Sequence, residues 1–246
     1  VYYKGVIVFN TGDRRKIIRK YNDPLLDLVY DTIKSGGQAL VFVNARSRAV
    51  SLAEKIAKKV KPQPGYGIHK YIDLILKSSE ATRLNEKLAR LFTYGVSFHH
   101  AGLGYTQRKI IEDAFRNNIL KVIVATPTLA AGVNLPARRV IVHDYTRYEP
   151  LFGRVYIKVM EYKQFAGRAG RPGYDEVGEA ILIAKTESEV KDLYNYYIAS
   201  HPESILSKLA SEAALRSHLL ALIATEHANT INSLYEILSH TLYALQ

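Results

Sequence analysis

The chain has 246 residues, 48% of them hydrophobic, enough to bury the core of one large domain or of a domain with a smaller companion. A net charge of +11 favours an anionic partner, with nucleic acid foremost, and no apolar run is long enough to span a membrane. Cysteine is absent, which excludes disulfides and thiolate metal sites and favours a reducing, cytoplasmic interior. The chain opens on a strand-like stretch rather than on Met, so we expect a part of a longer protein.

The beginning of the chain predicts a strand, a basic stretch and a helix. Residues 1–9 are rich in β-branched and aromatic side chains and predict one strand. Residues 11–20 carry five Arg or Lys, which is typical of a solvated loop or of a patch that contacts a nucleic-acid backbone. Asp23 followed by proline predicts the start of a helix, and a pair of glycines at 36 and 37 its end.

Further along, short strand-like runs alternate with helical patterns. The runs that predict strands cover residues 39–43, 96–99, 121–125, 140–143 and 179–184. Between them, residues 107–115 predict an amphipathic helix, and residues 68–91 a helical insertion after a loop at 61–67. This alternation predicts an α/β fold, with a parallel sheet flanked by helices and ligands at the carboxyl edge of the strands.

Polar side chains follow three of these predicted strands. Asn44 and Arg46 follow the first, where they form either a plain helix cap or a phosphate site. Thr126 and Thr128 follow the third and can donate hydrogen bonds to phosphate oxygens. His100 follows the second, in a loop that we expect near a nucleic-acid groove. The adjacent histidine points to the opposite face, so we expect no metal site there.

Residues 144–160 predict an inserted β-hairpin, because two strand-like stretches flank a turn that contains Pro and Gly. Tyr148 ends the first strand, and Leu151 and Phe152 lie near the tip. An apolar tip beside a nucleic-acid path can wedge between paired strands. An ordinary packed hairpin is an equally good interpretation of the sequence alone.

The stretch from Gln164 to Gly173 reads QFAGRAGRPG. On a helix, Gln164, Arg168 and Arg171 share one face, and Gly167 leaves a bare backbone surface beside them. The proline that follows Arg171 predicts the end of the helix. Two forked cations beside a bare surface suit a triphosphate. The alternative is a solvated basic helix with glycines at a packing contact.

The last part of the chain predicts helices, at residues 188–198, 205–209, 212–224 and 232–242. Short helices after a nucleotide-binding fold are typical of a helix-turn-helix or winged-helix unit. We therefore predict one domain over residues 1–186 and an incomplete winged-helix domain over 187–246.

Four stretches, LVFVNAR, SFHHAGL, ATPTLAAGVNLPA and QFAGRAGRPG, occur in this order. Together they resemble the second RecA-like domain of the Ski-like branch of superfamily 2 helicases. The Gly-Val-Asn-Leu-Pro run, the hairpin and the trailing helices are most similar to the archaeal Hjm/HelQ-type DNA helicases. The resemblance extends over essentially the whole chain.

This resemblance implies roles for the residues that match its motifs. Arg168 and Arg171 would act as arginine fingers on the γ-phosphate of ATP, and Gln164 would order the attacking water. Gly132 and Asn134 would approach the nucleotide, beside Gly167 of the arginine motif.

The resemblance also implies a nucleic-acid path and a substrate. Asn44, Arg46, Thr126 and Thr128, with His100 nearby, would hold the tracked strand, while the hairpin splits the duplex. Family members use Mg-ATP to move 3′→5′ on single-stranded DNA at forks and branches, in DNA repair and recombination.

One departure from the family pattern limits what this chain can do. It contains no G-x-x-x-x-G-K-[ST] and no acid box, so the groups that hold the triphosphate and Mg²⁺ would belong to a preceding RecA-like domain. We predict that the chain alone neither hydrolyses ATP nor unwinds DNA. Two alternatives are open: an RNA helicase of the same branch, and a DNA-binding module that has lost the motor.

Overall fold

The computed structural model describes residues 1–78 and 83–246. Its strands are, in chain order, β1 (Tyr2–Tyr3), β2 (Val6–Val8), β3 (Arg14–Lys16), β4 (Ala39–Phe42), β5 (Val96–His99), β6 (Val122–Ala125), β7 (Arg139–Val142), β8 (Thr146–Glu149), β9 (Gly153–Tyr156) and β10 (Glu179–Leu182). Its α-helices are α1 (Pro24–Lys34), α2 (Arg46–Lys59), α3 (Ile68–Leu76), α4 (Arg83–Phe92), α5 (Tyr105–Arg116), α6 (Thr128–Gly132), α7 (Val159–Ala166), α8 (Glu187–Leu193), α9 (Glu212–Ala224) and α10 (Ile231–Ser239).

The central sheet has five parallel strands in the order β10-β7-β4-β6-β5. Strand β4 lies in the middle, where Ala39 faces Val122 of β6 on one side and Arg139 of β7 on the other. All residues of β4 to β7 are buried, which explains why these runs show no alternation of apolar and polar side chains. The predicted RecA-like α/β fold, a parallel sheet flanked by helices, is confirmed.

Helix α1 begins and ends where its sequence signals predict. The Asp23 side chain accepts hydrogen bonds from the main-chain N–H groups of Leu25 and Leu26, at 3.1 and 3.2 Å. Gly36 adopts a left-handed φ of 76° after the last turn.

None of the helices within residues 1–78 and 83–246 has the length and apolar character of a membrane span.

The fully buried side chain of Arg139 fastens α1 to the sheet. Its guanidinium donates hydrogen bonds to Glu179 of β10 at 2.8 Å, and to Asp31 and Thr32 of α1 at 2.9 and 2.8 Å. A fourth bond, of 2.9 Å, reaches the carbonyl of Leu28. A buried charge is tolerated when it is paired and hydrogen-bonded in this way, and it then fixes the register of the elements that it joins.

The single strand predicted over residues 1–9 is wrong. Lys4 and Gly5 both adopt positive φ angles, of 44° and 91°, and form a two-residue turn. The turn folds β1 back on β2 as an antiparallel hairpin, to which β3 adds a third strand. Part of the basic stretch at 11–20 therefore lies in a strand rather than in a loop.

The helical insertion predicted over residues 68–91 consists of two helices, α3 and α4. Residues 79–82 of that prediction lie outside the described residues. The two helices pack against each other, with Ile75 of α3 and Leu88 of α4 both fully buried.

The predicted hairpin within 144–160 is confirmed. Strands β8 and β9 pair antiparallel from Thr146 opposite Tyr156 to Glu149 opposite Gly153. The hydroxyl of Tyr197, in the π-helical segment Tyr194–Ala199 that continues α8, closes the base of the hairpin. It donates to the main-chain carbonyls that flank the two strands, those of residues 145 and 157, at 2.8 and 3.1 Å.

The chain divides into two compact units, Val1–Pro202 and Glu203–Gln246. The predicted boundary at residue 186 lies before the observed one, because α8 and the π-helical segment belong to the first unit. In the second unit α9 and α10 match the prediction, but the helix predicted at 205–209 is wrong: a short 3-10 turn, Lys208–Ala210, is found there. The winged-helix assignment stays a prediction.

Candidate nucleic-acid and nucleotide interface

The residues predicted to contact nucleic acid lie where the central strands end. Asn44 and Arg46 follow β4, His100 follows β5, and Thr126 and Thr128 follow β6. These strands are parallel neighbours, so the five residues share one edge of the sheet. We call them the carboxyl-edge row.

Asn44 joins the carboxyl-edge row to the base of the hairpin. Its side-chain amide donates to the main-chain carbonyl of Thr146, the first residue of β8. Its main-chain N–H donates to the Asp144 carboxylate at 3.2 Å. The same carboxylate forms ion pairs with the side chains of Arg48 and His143, both at 2.9 Å. Burial tends to raise the pKa of Asp144, but these donors outweigh it and the pKa lies below its usual 3.8. Asp144 is therefore ionised at neutral pH.

His100 is a neutral, buried member of the row. Its Nδ1 accepts a hydrogen bond from the main-chain N–H of Gly102 at 3.1 Å, and its ring stacks on Phe98. Burial, and then the positive charge of Arg46, lower the pKa of His100 below its usual 6.5. The side chain of Arg46 is exposed at the start of α2 and free to reach a phosphate.

Thr126 and Thr128 bring two hydroxyl groups together. Their Oγ1 atoms lie 3.1 Å apart, with Thr126 buried and Thr128 exposed. The main-chain N–H of Thr126 donates to the carbonyl of His99 on the neighbouring strand at 3.1 Å. The exposed hydroxyl of Thr128 is placed to donate to a ligand at the edge of the sheet.

Arg168 belongs to a second group of predicted residues. Its guanidinium donates to the Asn134 side-chain oxygen at 2.9 Å and to the main-chain carbonyl of Ala130 at 2.6 Å. Gly132 lies between these two partners in sequence and is exposed, with open space where a side chain would begin. The structure thus joins Arg168 to Asn134 directly, and Gly132 lies in the chain between the two partners of Arg168.

Arg171 is held by different partners. Its main-chain N–H and its Nε and Nη2 groups donate to the Asp175 carboxylate at 3.0, 2.8 and 2.9 Å. Its Nη1 donates to the side-chain oxygen of Gln38, just before β4, at 2.9 Å. The hydrogen bonds from Arg171, opposed by burial, lower the pKa of Asp175 below 3.8.

The helix predicted to carry both arginines is wrong, because α7 ends at Ala166 and Gly167 caps it. The following segment pairs instead with residue 137: the N–H of Ala137 donates to the carbonyl of Arg168, and the N–H of Gly170 to that of Ala137. Gly170 has a φ of 93°, which is incompatible with a helix. The arginines therefore do not share a helix face with Gln164, which is exposed on α7.

The tip of the hairpin presents large apolar side chains to solvent. Tyr148, Leu151 and Phe152 are 78%, 90% and 74% exposed. The hairpin is tied to α7 through Arg147, whose guanidinium contacts Glu149 and Glu161, both at 3.1 Å. Exposed apolar residues on an anchored hairpin are suited to contact bases or another apolar surface.

Sequence reasoning missed two carboxylates that organise this surface, Asp144 and Asp175. Asp144 follows β7 at the edge that carries Asn44, so the rule that identified Asn44 could also have found it. Asp175 stands four residues after Arg171, the spacing of an ion pair on a helix, but here a turn forms the pair. Within the described residues, no group of three or more His, Cys, Asp or Glu is arranged to hold a metal ion.

Comparison with known proteins agrees with the fold and with these motifs. Residues 69–173 match the family described as helicase conserved C-terminal domain. This part of the chain is therefore similar to a helicase C-terminal domain, in line with the predicted resemblance to superfamily 2 helicases.

The similarity extends further, to archaeal DNA helicases. Proteins named ATP-dependent DNA helicase Hel308 align with the whole chain: 44% identical in Caldivirga maquilingensis, 46% in Methanocella arvoryzae and 45% in Pyrococcus abyssi. The chain spans about a third of the length of each, 33%, 34% and 33%. The resemblance to this branch of helicases is confirmed.

Proposed function

We propose that this chain is the second RecA-like half of the motor of a longer ATP-dependent DNA helicase. The helicase moves 3′→5′ and unwinds forked or branched DNA in the cytoplasm, in replication-coupled repair and recombination. The observation that carries the proposal is the carboxyl-edge row, which places two exposed donors, Arg46 and Thr128, at one edge of a RecA-like sheet. The Hel308 relatives, named as ATP-dependent DNA helicases, support DNA and ATP as the ligands.

In this proposal Arg168 and Arg171 face a triphosphate held by a preceding RecA-like domain, which also holds Mg²⁺. Bound ATP would supply the phosphoryl group, and the two guanidiniums would stabilise its charge during transfer. The exposed Gly132, with open space where a side chain would begin, lies in the chain between the two partners of Arg168, which supports a nucleotide phosphate in this region. Gln164, exposed on α7, would order the attacking water. The chain alone is then inactive.

The hairpin would convert strand movement into duplex separation. Asp144 and Asn44 tie its base to the carboxyl-edge row, and the Arg147–Glu161 ion pair ties it to α7, the helix that leads to the arginine motif. A hairpin anchored at both places would move with the nucleotide-dependent part of the domain, and Leu151 and Phe152 would meet the first base pair.

The proposal is tested by unwinding a labelled duplex with a 3′ or a 5′ single-stranded tail, using the full-length helicase. We expect ATP-dependent unwinding of the 3′-tailed duplex. Replacing both tip residues, Leu151→Ser with Phe152→Ser, should slow unwinding about tenfold and leave DNA-stimulated ATPase activity intact, since base stacking is worth about 1–3 kcal/mol. Leu220→Ser, which replaces another exposed apolar side chain and lies in the second unit, is the control. Preference for the 5′ tail, or equal unwinding by the tip variant, would contradict this account.

A further inference from the structure

A cleft of about 240 Å³ lies beside the carboxyl-edge row, between α5 and the short helix α6. Arg108 and Lys109 of α5 line one side, and Thr128 and Gly132 line the other. The cleft therefore places two cations opposite an exposed hydroxyl and an exposed glycine backbone. Neither cation was singled out by the sequence motifs.

The two cations of the cleft have no carboxylate partner within 4 Å among the described residues. Lys109 lies over the ring of Tyr105, with its Nζ 5.6 Å from the ring centre, an arrangement that leaves its charge uncompensated. Arg108 is half-buried and carries five N–H donors in a fixed fork. Cations left without partners in a concave site favour an anion.

The one carboxylate that lines the described part of the cleft is already engaged. Glu112 is buried and contacts the His99 ring at 3.2 Å through Oε1 and Arg116 at 3.8 Å through Oε2. Burial is the main cause that lowers the pKa of His99, and the positive charge of Arg108 acts in the same direction. The described lining of the cleft therefore holds two cations against one carboxylate, and that carboxylate also contacts Arg116.

We propose that this cleft is a phosphate subsite, in which Arg108 and Lys109 hold a backbone phosphate of the tracked single strand. Thr128 belongs both to the cleft and to the carboxyl-edge row, so the subsite would continue the row by about one nucleotide toward β5. An arginine fork binds a phosphate through two hydrogen bonds, and the adjacent ammonium adds a point charge. The inference rests on the proposed function and deepens it.

The test measures binding of a labelled oligothymidine to the full-length helicase by fluorescence anisotropy over a range of salt concentrations. The double variant Arg108→Ala with Lys109→Ala should bind about tenfold more weakly at moderate salt. Its salt dependence should be shallower by about 0.7 in log–log slope, since one phosphate contact to a single strand contributes roughly that amount. The KM for ATP at saturating DNA should be unchanged. Lys59→Ala, which removes an exposed charge at the end of α2, should bind like the wild type.

Each other outcome has a distinct meaning. If the double variant keeps the wild-type Kd and slope, the subsite is wrong while the proposed function stands. A raised KM for ATP with unchanged DNA binding would assign the cleft to a nucleotide phosphate and overturn the inference. If Lys59→Ala weakens DNA binding equally, the loss is an effect of net charge alone, and the inference is overturned. Failure of the wild type to bind DNA would refute the proposed function itself.

Discussion

The pair of Arg171 and Asp175 gives a quantitative prediction about stability. The Asp175 side chain is 3% exposed and that of Arg171 14%, and three hydrogen bonds join the two residues. Asp175→Ala removes these acceptors and leaves the guanidinium with Gln38 as its hydrogen-bond partner among the described residues, beside the ring of Tyr174. Breaking a buried pair costs about 3–5 kcal/mol, and the residual bond places this case near 3 kcal/mol. For a unit of this size that is a fall in Tm of roughly 6–12 °C.

The assay is thermal unfolding of the chain followed by circular dichroism. Asp175→Asn keeps one acceptor but loses the charge, so its Tm should fall about half as far. Glu176→Ala, at the exposed neighbouring residue, is the control and should leave Tm unchanged. A Tm for Asp175→Ala within about 1 °C of the wild type would refute the reasoning, because a buried, ionised pair cannot be removed without cost.

The same pair predicts a pH dependence. Because its folded-state pKa lies below 3.8, the ionised Asp175 contributes stability that is fully present above the pKa of the unfolded chain. That contribution is lost as the pH falls through the folded-state pKa. The Tm difference between the wild type and Asp175→Asn should therefore be constant from pH 7 to about pH 5 and narrow below about pH 4. A constant difference down to pH 3 would contradict the pKa assignment.

Further predictions concern the hairpin and the core. Tyr197→Phe removes the hydroxyl that donates to the carbonyls of residues 145 and 157, the first of which keeps the N–H of Ile157, and should cost about 0.5–1.5 kcal/mol in urea unfolding. Phe165→Ala removes the ring that stacks on Phe42, with the ring centroids 4.2 Å apart, and should lower the free energy of unfolding by about 3–5 kcal/mol in the same assay. A loss below 1 kcal/mol would contradict this, because it would mean that neighbouring side chains fill the space left by the ring. Asp144→Ala removes the carboxylate that holds Asn44 in the carboxyl-edge row. It should weaken single-stranded DNA binding by the full-length helicase about fivefold, which corresponds to a loss of roughly 1 kcal/mol of binding free energy, and leave the DNA-free ATPase rate unchanged.

The parts of the fold that sequence reasoning predicted are those set by local chemistry. Continuous apolar runs identified the central strands because strands buried on both faces contain few polar residues. Asp23 identified the start of α1 because an unsatisfied N–H group needs a nearby acceptor. The hairpin followed from the turn residues around Pro150 and from strand-like residues on both sides.

The parts that it did not predict depend on contacts between distant segments. Nothing local forbids a helix through Arg168, but pairing with Ala137 supplies backbone hydrogen bonds that an isolated peptide lacks. In the sequence, Arg139 is a polar residue just before a predicted strand. In the structure it is fully buried, because Asp31 and Glu179 both accept hydrogen bonds from its guanidinium. Such partners, distant in sequence, are invisible to a periodicity argument.

The most direct test of the central claim is the ATPase activity of the full-length helicase with and without single-stranded DNA, in the wild type and in Arg168→Ala. We expect stimulation by DNA in the wild type and a fall of roughly 10³ in kcat for the variant, as for the loss of an arginine finger. Arg14→Ala, at an exposed arginine of β3, should keep the wild-type rate. Full DNA-stimulated activity in Arg168→Ala, or stimulation by RNA and not by DNA, would contradict it.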